Sequence, residues 1–93
     1  MIVDFNCPET EKLFNGGASR NFPFDIQRRA LRKLLMIHAA TDIEDLRQPP
    51  GNRLETLSGD RAGQWSIRVN DPWRICFVWK DGNAFQVELV DYH

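Results

Sequence analysis

The amino-acid sequence predicts an α+β fold in which two N-terminal helices pack on one face of a small antiparallel sheet. In the first half of the chain, apolar residues recur at helical spacing as far as a proline-rich break at residues 48–51. Beyond that break the period changes to two, and short turns separate four apolar stretches, which is typical of antiparallel hairpins. The predicted order is β-α-α-β-β-β-β, with a short helical turn just before the break.

Composition limits the class of protein. The chain has 93 residues, of which 42% are hydrophobic, and this predicts one small domain over residues 1–93. The formal net charge is -1, so the chain as a whole does not attract nucleic acid. Any site for a polyanion must therefore come from local clustering of basic residues.

Cysteine use and the N-terminus favour the cytoplasm. Cys7 and Cys76 are far apart and lack metal or redox spacing, which predicts free thiols in a reducing compartment. The opening residues lack the basic start and long apolar run of a signal peptide. No apolar stretch approaches the roughly 20 residues that would cross a bilayer.

The first elements are a strand and a helix. Residues 2–5 are predicted to form a short strand. Asn6 then has the character of a helix N-cap, with Pro8 in the first turn and Glu9 in the position of a capping box. Gly16-Gly17 is expected to end this helix.

A second helix is predicted from about Phe24 to Ala39. Its expected core-facing residues are Phe24, Leu31, Leu34, Leu35 and His38. Its other face is basic, with Arg28, Arg29, Arg32 and Lys33. That face suits either a solvated helix surface or a surface for RNA or a protein partner. His38 is expected to be a core or helix-end residue rather than a metal ligand.

A short helix follows over Thr41–Arg47, with Thr41 and Glu44 as its capping pair. Four strands are predicted after the break: 52–57, 64–69, 73–80 and 84–91. A three-residue loop at residues 81–83 would oppose Trp79 to Phe85, Phe77 to Val87 and Ile75 to Leu89, which keeps apolar residues on one face.

The turn at residues 70–72 leads to a prediction about charge. A three-residue loop there places Ile67 opposite Ile75 and Arg68 opposite Arg74. Like charges directly across a sheet are destabilising, so a counter-charge is expected. Either an acid such as Glu55 or Glu88, or a bound phosphate that arginine can grip with two parallel hydrogen bonds, would provide it.

The sequence ends on three residues that handle protons, Asp91, Tyr92 and His93. In the predicted register Tyr92 is a diagonal neighbour of Arg74. Cleavage of RNA by its own 2′-hydroxyl needs a base, an acid and cations, but no metal ion. His93 suits both proton roles near neutral pH, Tyr92 can donate a proton or stack on a base, and Asp91 can orient the imidazole. The alternative is a frayed terminus without function.

Two stretches resemble the HigB toxins of bacterial toxin–antitoxin pairs, GraT-like members above all, within the RelE/ParE superfamily. They are "PPGNRLETLSGDRAGQWSIRVNDPWRICFVW" and the terminal "VDYH". The resemblance implies a RelE-like fold and a ribosome-dependent mRNA endoribonuclease that inhibits translation without a metal or cofactor. It also implies neutralisation by a HigA-type helix-turn-helix antitoxin, through which alone the toxin would reach operator DNA.

The resemblance carries roles onto particular residues. It makes Asp91, Tyr92, His93 and Arg74 catalytic, and it matches Arg53 to a basic residue of the family. Some HigB toxins have a catalytic histidine where this chain has Glu55, and a lysine where it has Ser58. Glu55 is therefore a candidate general base or a partner for a nearby arginine.

The basic residues in or beside the predicted sheet are the candidates for RNA binding. They are Arg53, Arg61 and Arg68, together with Arg74. Two other functions fit the same fold: a non-enzymatic inhibitor of DNA gyrase of the ParE kind, and a structural partner protein whose terminus has no function. The imidazole of His93 favours the nuclease, because a pure binding module does not need it.

Overall fold

A four-stranded antiparallel sheet lies against two helices in the computed structural model, which describes residues 1–91. The helices are α1 (Pro8–Phe14) and α2 (Phe24–Ala39), and the strands, in spatial order, are β1 (Glu55–Thr56), β2 (Trp65–Arg68), β3 (Trp73–Lys80) and β4 (Asn83–Asp91). The predicted α+β class and order of elements are confirmed. The core lies between α2 and the sheet, and includes Leu34, Ile37, Ile75 and Phe77. Within the described part of the chain, no helix has the length and apolar character needed to cross a membrane.

The N-terminal segment runs beside β4. Isolated parallel bridges join Ile2 to Ala84 and Phe5 to Val87, so the predicted first strand is reduced to two points of pairing. Between them, the carboxylate of Asp4 accepts the backbone N–H of Gln86 at 2.6 Å. Gln86 has a positive φ of 55°, and this irregularity in β4 prevents a continuous ladder.

The start of α1 differs from the prediction. Cys7, not Asn6, is the N-cap residue, and its side chain makes no capping hydrogen bond. Asn6 donates instead to Glu88 at 3.4 Å, and Glu9 accepts from the Ser19 hydroxyl at 2.6 Å. These tertiary partners take both side chains away from the helix end. The predicted glycine stop is confirmed, because Gly16 follows the helix with a φ of 91°.

The bounds of α2 agree with the prediction, but its buried face agrees only in part, at Leu34. Ile26, Ala30, Leu34 and Ile37 are buried, whereas Phe24 is 88% exposed and Leu35 is 49% exposed. The helix has apolar residues on more than one side, and the position of the sheet selects which side is covered. His38 is a helix-end residue as expected, since its Nδ1 accepts the N–H of Ile2 at 3.1 Å.

The short helix before the break is a 3-10 turn over Ile43–Arg47. Its capping box is formed by Asp42 and Asp45 rather than by Thr41 and Glu44. Glu44 pairs with Arg47 at 2.6 Å instead. Backbone N–H groups of Asp42 and Thr41 donate to the carboxylate of Asp45 and lower its pKa.

The hairpin of β3 and β4 corrects the predicted register. Its loop has two residues, Asp81 and Gly82, both with positive φ, so Lys80 faces Asn83 and Val78 faces Phe85. These are the dihedral signs of the tight hairpin turn that matches strand twist. The predicted pairing of Trp79 with Phe85 is wrong, and Phe77 falls in a bulge rather than opposite Val87.

The bulge at Gln86 restores the register beyond it. The extra residue lies between the pairs Val78–Phe85 and Cys76–Glu88, so Ile75 faces Leu89 as predicted. On the other side of β3, the predicted pairs Ile67–Ile75 and Arg68–Arg74 are confirmed. β1 is shorter than predicted, because Pro50–Asn52 forms a 3-10 turn and Arg53 is left-handed, with a φ of 46°.

Asn52 ties the connecting segment to α2. Its side chain is fully buried, and its amide donates to the carbonyl oxygens of Leu46 at 3.1 Å and Gln48 at 3.2 Å. The ammonium of Lys33 donates to its side-chain oxygen. One side chain therefore satisfies three polar groups at the place where the chain leaves the helical half.

We expect Asn52→Leu to lower the free energy of unfolding by about 1–3 kcal/mol, because it leaves the carbonyl groups of Leu46 and Gln48 without these donors. Urea unfolding followed by tryptophan fluorescence measures the change. Asn6→Leu is the matched control, since Asn6 is exposed. Equal stability of the two variants would contradict the structural role of Asn52.

Candidate active site

The sheet face away from the helices carries the polar side chains of β1, β2 and β3; we call it the polar face. Side chains alternate along a strand, so Ile67, Ile75 and Phe77 enter the core while their neighbours point to the other side. The polar face includes Glu55, Ser66, Arg68, Arg74 and Cys76, which the strand register brings together. The polar face therefore brings together three of the predicted site residues: Glu55, Arg68 and Arg74.

Arg74 is the most firmly held of these side chains. Its Nε donates to the hydroxyl of Ser66 at 2.8 Å, and its Nη2 donates to the carbonyl oxygen of Arg53 at 2.7 Å. The same Nη2 lies 3.5 Å from a carboxylate oxygen of Glu55. Only 12% of the Arg74 side chain is exposed, so the guanidinium is fixed in direction by its neighbours. The left-handed backbone of Arg53 belongs to this arrangement, because Arg74 bonds to its carbonyl.

Arg68 and Arg74 face each other across β2 and β3, as the register predicted. Each has an acidic partner: Asp71 lies 3.1 Å from Nε of Arg68, and Glu55 lies beside Arg74. The side chains of Asp71 and Glu55 are 91% and 54% exposed. Ion pairs this open to solvent are weak, so a phosphate can compete with them for the guanidinium groups.

The positive charges of three arginines act on the carboxyl group of Asp71. The hydrogen bond from Arg68 holds the pKa of the Asp71 carboxyl below its usual value, and the charges of Arg53 and Arg74 act in the same direction. Arg53, Arg68 and Arg74 therefore form a local concentration of positive charge on a chain whose formal net charge is -1. Such a concentration is what recognition of a phosphate backbone requires.

A model of the family described as RelE-like toxin of type II toxin–antitoxin system HigB matches residues 4–93. The chain belongs to the HigB-like toxin family. It is 46% identical over 90 residues to Toxin HigB-1 of Vibrio cholerae, covering 96% of this chain and 95% of that protein. It is 36% identical over 93 residues, the full length of both chains, to Endoribonuclease HigB of Proteus vulgaris. An uncharacterised protein of Haemophilus influenzae is 38% identical over 74 residues, 80% of this chain and 73% of that protein.

This HigB-like chain is thus a toxin of a type II toxin–antitoxin system, and an antitoxin is its partner. The predicted resemblance and the RelE-like fold are both confirmed. The match takes in β1 to β4 and therefore every residue of the polar face.

The remaining site residues of this toxin lie at the edges of the polar face. Arg61 donates to Glu88 at 2.8 Å and to Gln64 at 3.1 Å, so one predicted RNA-binding arginine is tied to an acid beside Cys76. Asp91 pairs with Trp73, one position beyond the pair of Arg74 with Val90. Strand alternation therefore directs the side chain of Asp91 to the opposite side of the sheet from Arg74. Tyr92 and His93 lie outside the described residues.

Sequence reasoning missed Ser66 and Asp71. Ser66 occupies a position that a sheet register alone marks as a neighbour of Arg74, and Asp71 follows Arg68 by three residues within a tight turn. Cys76 lies on the same face but is fully buried, and burial raises the pKa of its thiol against the opposing charges of Arg61 and Arg74. A neutral thiol is a packing group rather than a nucleophile. Among residues 1–91, no three His, Cys, Asp or Glu side chains are grouped so as to hold a metal ion.

Proposed function

We propose that this toxin is a metal-independent endoribonuclease that cleaves messenger RNA on the ribosome and so inhibits translation. The observation that carries the proposal is the fixed guanidinium of Arg74 on the polar face, next to Arg53 and Arg68. A relative that matches the chain over its full length is named Endoribonuclease HigB, which supports the same activity.

The chemistry needs no bound group beyond the protein and its substrate. The 2′-oxygen of one ribose attacks the adjacent phosphorus while a base takes its proton, and the bond from phosphorus to the 5′-oxygen breaks as an acid protonates that oxygen. The products carry a 2′,3′-cyclic phosphate and a 5′-hydroxyl. Charge on the phosphoryl oxygens grows in the transition state, and Arg74 and Arg68 are the cations that would stabilise it.

We assign the catalytic roles other than charge stabilisation to Glu55, Asp91, Tyr92 and His93. Glu55 is supported as the base by its position, because it lies 3.5 Å from Arg74 and more than half of its side chain is exposed. The imidazole of His93 suits an acid near neutral pH, with Tyr92 stacking on a base or donating a proton. The orientation of Asp91 away from Arg74 favours an indirect role for it, in positioning the residues that follow.

Arg53, Arg61 and Arg68 would bind the RNA backbone around the cleaved bond. With a net charge of -1 the toxin has little attraction for free RNA, and this favours a substrate that the ribosome holds in place. We infer that residues 1–93 act as one toxin domain in the cytoplasm. A HigA-type helix-turn-helix antitoxin would neutralise it and would link it to operator DNA.

Glu55→Gln tests the assignment of the base. We expect this change to lower cleavage on programmed ribosomes by about 100-fold, because the amide keeps the size of the side chain but cannot accept the 2′-proton. Glu88→Gln is the matched control, since Glu88 is an acid on the same face that pairs with Arg61. If Glu55→Gln cleaved as fast as the unaltered toxin, Glu55 would be a partner of Arg74 and the base would lie elsewhere.

A further inference from the structure

A second concentration of positive charge lies in a cavity beside α2. The cavity has a volume of about 360 Å³ and opens between the helix, the 3-10 turn before β1 and the end of β2. Four of its lining residues are cations: Arg29, Arg32, Lys33 and Arg68. None of the described side chains that line it is acidic.

Neutral groups hold two of the four cations of this cavity in place, while Arg68 pairs with the exposed carboxylate of Asp71 outside the lining. Lys33 donates to the amide oxygen of the buried Asn52, and Arg29 donates to the carbonyl oxygen of Val69 at 3.4 Å. These bonds fix the direction of the side chains without cancelling their charge. Arg29 and Lys33 are therefore preorganised for an anion, because their side chains lose less conformational entropy when it binds.

The cations also act on one another. Burial lowers the pKa of Lys33, and the charges of Arg29, Arg32 and Arg68 lower it further. Mutual repulsion of this kind is relieved when a negative group enters and contacts several of the cations together.

Arg68 joins this cavity to the candidate active site. It lines the cavity, and it also faces Arg74 across β2 and β3. The positive surface thus continues from the polar face around the end of β2 to α2, along a path that an RNA strand can follow.

We propose that the α2 cavity is a second phosphate-binding site of this toxin, which holds an RNA backbone phosphodiester other than the one that is cleaved. The identity of the anion as RNA rests on the proposed function. The phosphodiester can belong to the messenger itself or to ribosomal RNA, and the two sources share the same chemistry. Three of the four cations of the basic face of α2 line this cavity: Arg29, Arg32 and Lys33.

Arg32→Gln tests the site, with Arg28→Gln as the matched control. Both residues are exposed arginines of α2, but Arg28 lies outside the cavity. The probe is a fluorescent single-stranded RNA with 2′-O-methyl riboses, which binds but cannot be cut. We expect Arg32→Gln to reduce the slope of log affinity against log salt by about 0.7, the value for one phosphate contact on a single strand. Arg28→Gln should leave that slope unchanged.

Binding to 70S ribosomes, vacant or carrying a messenger, identifies the source of the phosphate. If Arg32→Gln weakens binding only when messenger is present, the phosphate belongs to the messenger; an equal loss on vacant ribosomes assigns it to ribosomal RNA. Both results support the site. Equal behaviour of the two variants on all three probes, or no binding by the unaltered toxin to any of them, overturns it.

These experiments distinguish failure of the proposed phosphate site from failure of the proposed nuclease. A toxin that loses affinity for RNA through Arg32→Gln, yet never cuts messenger on ribosomes, would overturn the proposed nuclease and leave the cavity assigned. If both variants cut messenger with the same salt dependence, the proposed nuclease would stand and the assignment of the cavity would be overturned. Thermal unfolding of both variants verifies that each has folded.

Discussion

Replacing Arg74 with alanine is expected to lower the rate of messenger cleavage on ribosomes by about 10²–10³-fold, the usual effect of removing one preorganised donor to a charged transition state. The guanidinium is already aligned before RNA arrives, because Ser66 and the carbonyl of Arg53 hold it at 2.8 Å and 2.7 Å. Its reorganisation during the reaction is therefore small. Single-turnover cleavage, measured with the toxin in excess over programmed ribosomes, reports this step without product release.

Arg74→Lys separates charge from geometry. Lysine keeps the charge but loses the planar fork that grips two phosphoryl oxygens, so we expect a rate between those of alanine and the unaltered toxin. Arg47→Ala is the control, because Arg47 makes an exposed pair with Glu44 on the connecting turn. A folded Arg74→Ala toxin that cuts at the unaltered rate would remove Arg74 from the active site.

Replacing His93 with alanine is expected to lower the cleavage rate by about 10²–10⁴-fold, the range for loss of a general acid or base. The position of Asp91, two residues earlier and paired with Trp73 beside Arg74, brings the chain to this end of the sheet. The pH profile is the decisive measurement. The unaltered toxin should lose activity as pH rises through the pKa of the imidazole, because the acid then lacks its proton.

His93→Gln and added imidazole complete that test. Glutamine keeps a hydrogen-bonding side chain but cannot transfer a proton near neutral pH, so its rate should match that of alanine. Imidazole in solution should restore part of the activity of His93→Ala alone. An alanine variant with an unaltered rate and pH profile would make the terminus a frayed end and would move the proton transfers to Glu55.

The sequence predicts those parts of the fold that depend on burial. The register of β2 with β3 follows from the requirement that Ile67 and Ile75 share the core face, and the structure has that register. The β3–β4 loop was mispredicted because the same requirement is met in another way, through a tight turn and a bulge at Gln86. A non-glycine residue with a positive φ leaves no clear signal in the sequence.

The candidate site was predictable where it depends on the register of the sheet. Arg68 and Arg74 were placed together by register alone, and the structure has them opposite each other. The partners of these arginines were not predictable in full, since Asp71 lies in a turn and Arg53 acts through its backbone carbonyl. The buried face of α2 was predicted correctly at Leu34 but wrongly at Phe24 and Leu35, because the helical period fits two faces and tertiary packing decides between them.

Cleavage of one defined messenger by the unaltered toxin, on programmed ribosomes and as free RNA, tests the central claim most directly. Primer extension maps the cut sites. We expect cuts on the ribosome and little or none on free RNA, where the net charge of -1 gives weak attraction. Absence of cleavage on ribosomes in extracts of cells whose growth the toxin still arrests would contradict the central claim and would direct attention to DNA gyrase.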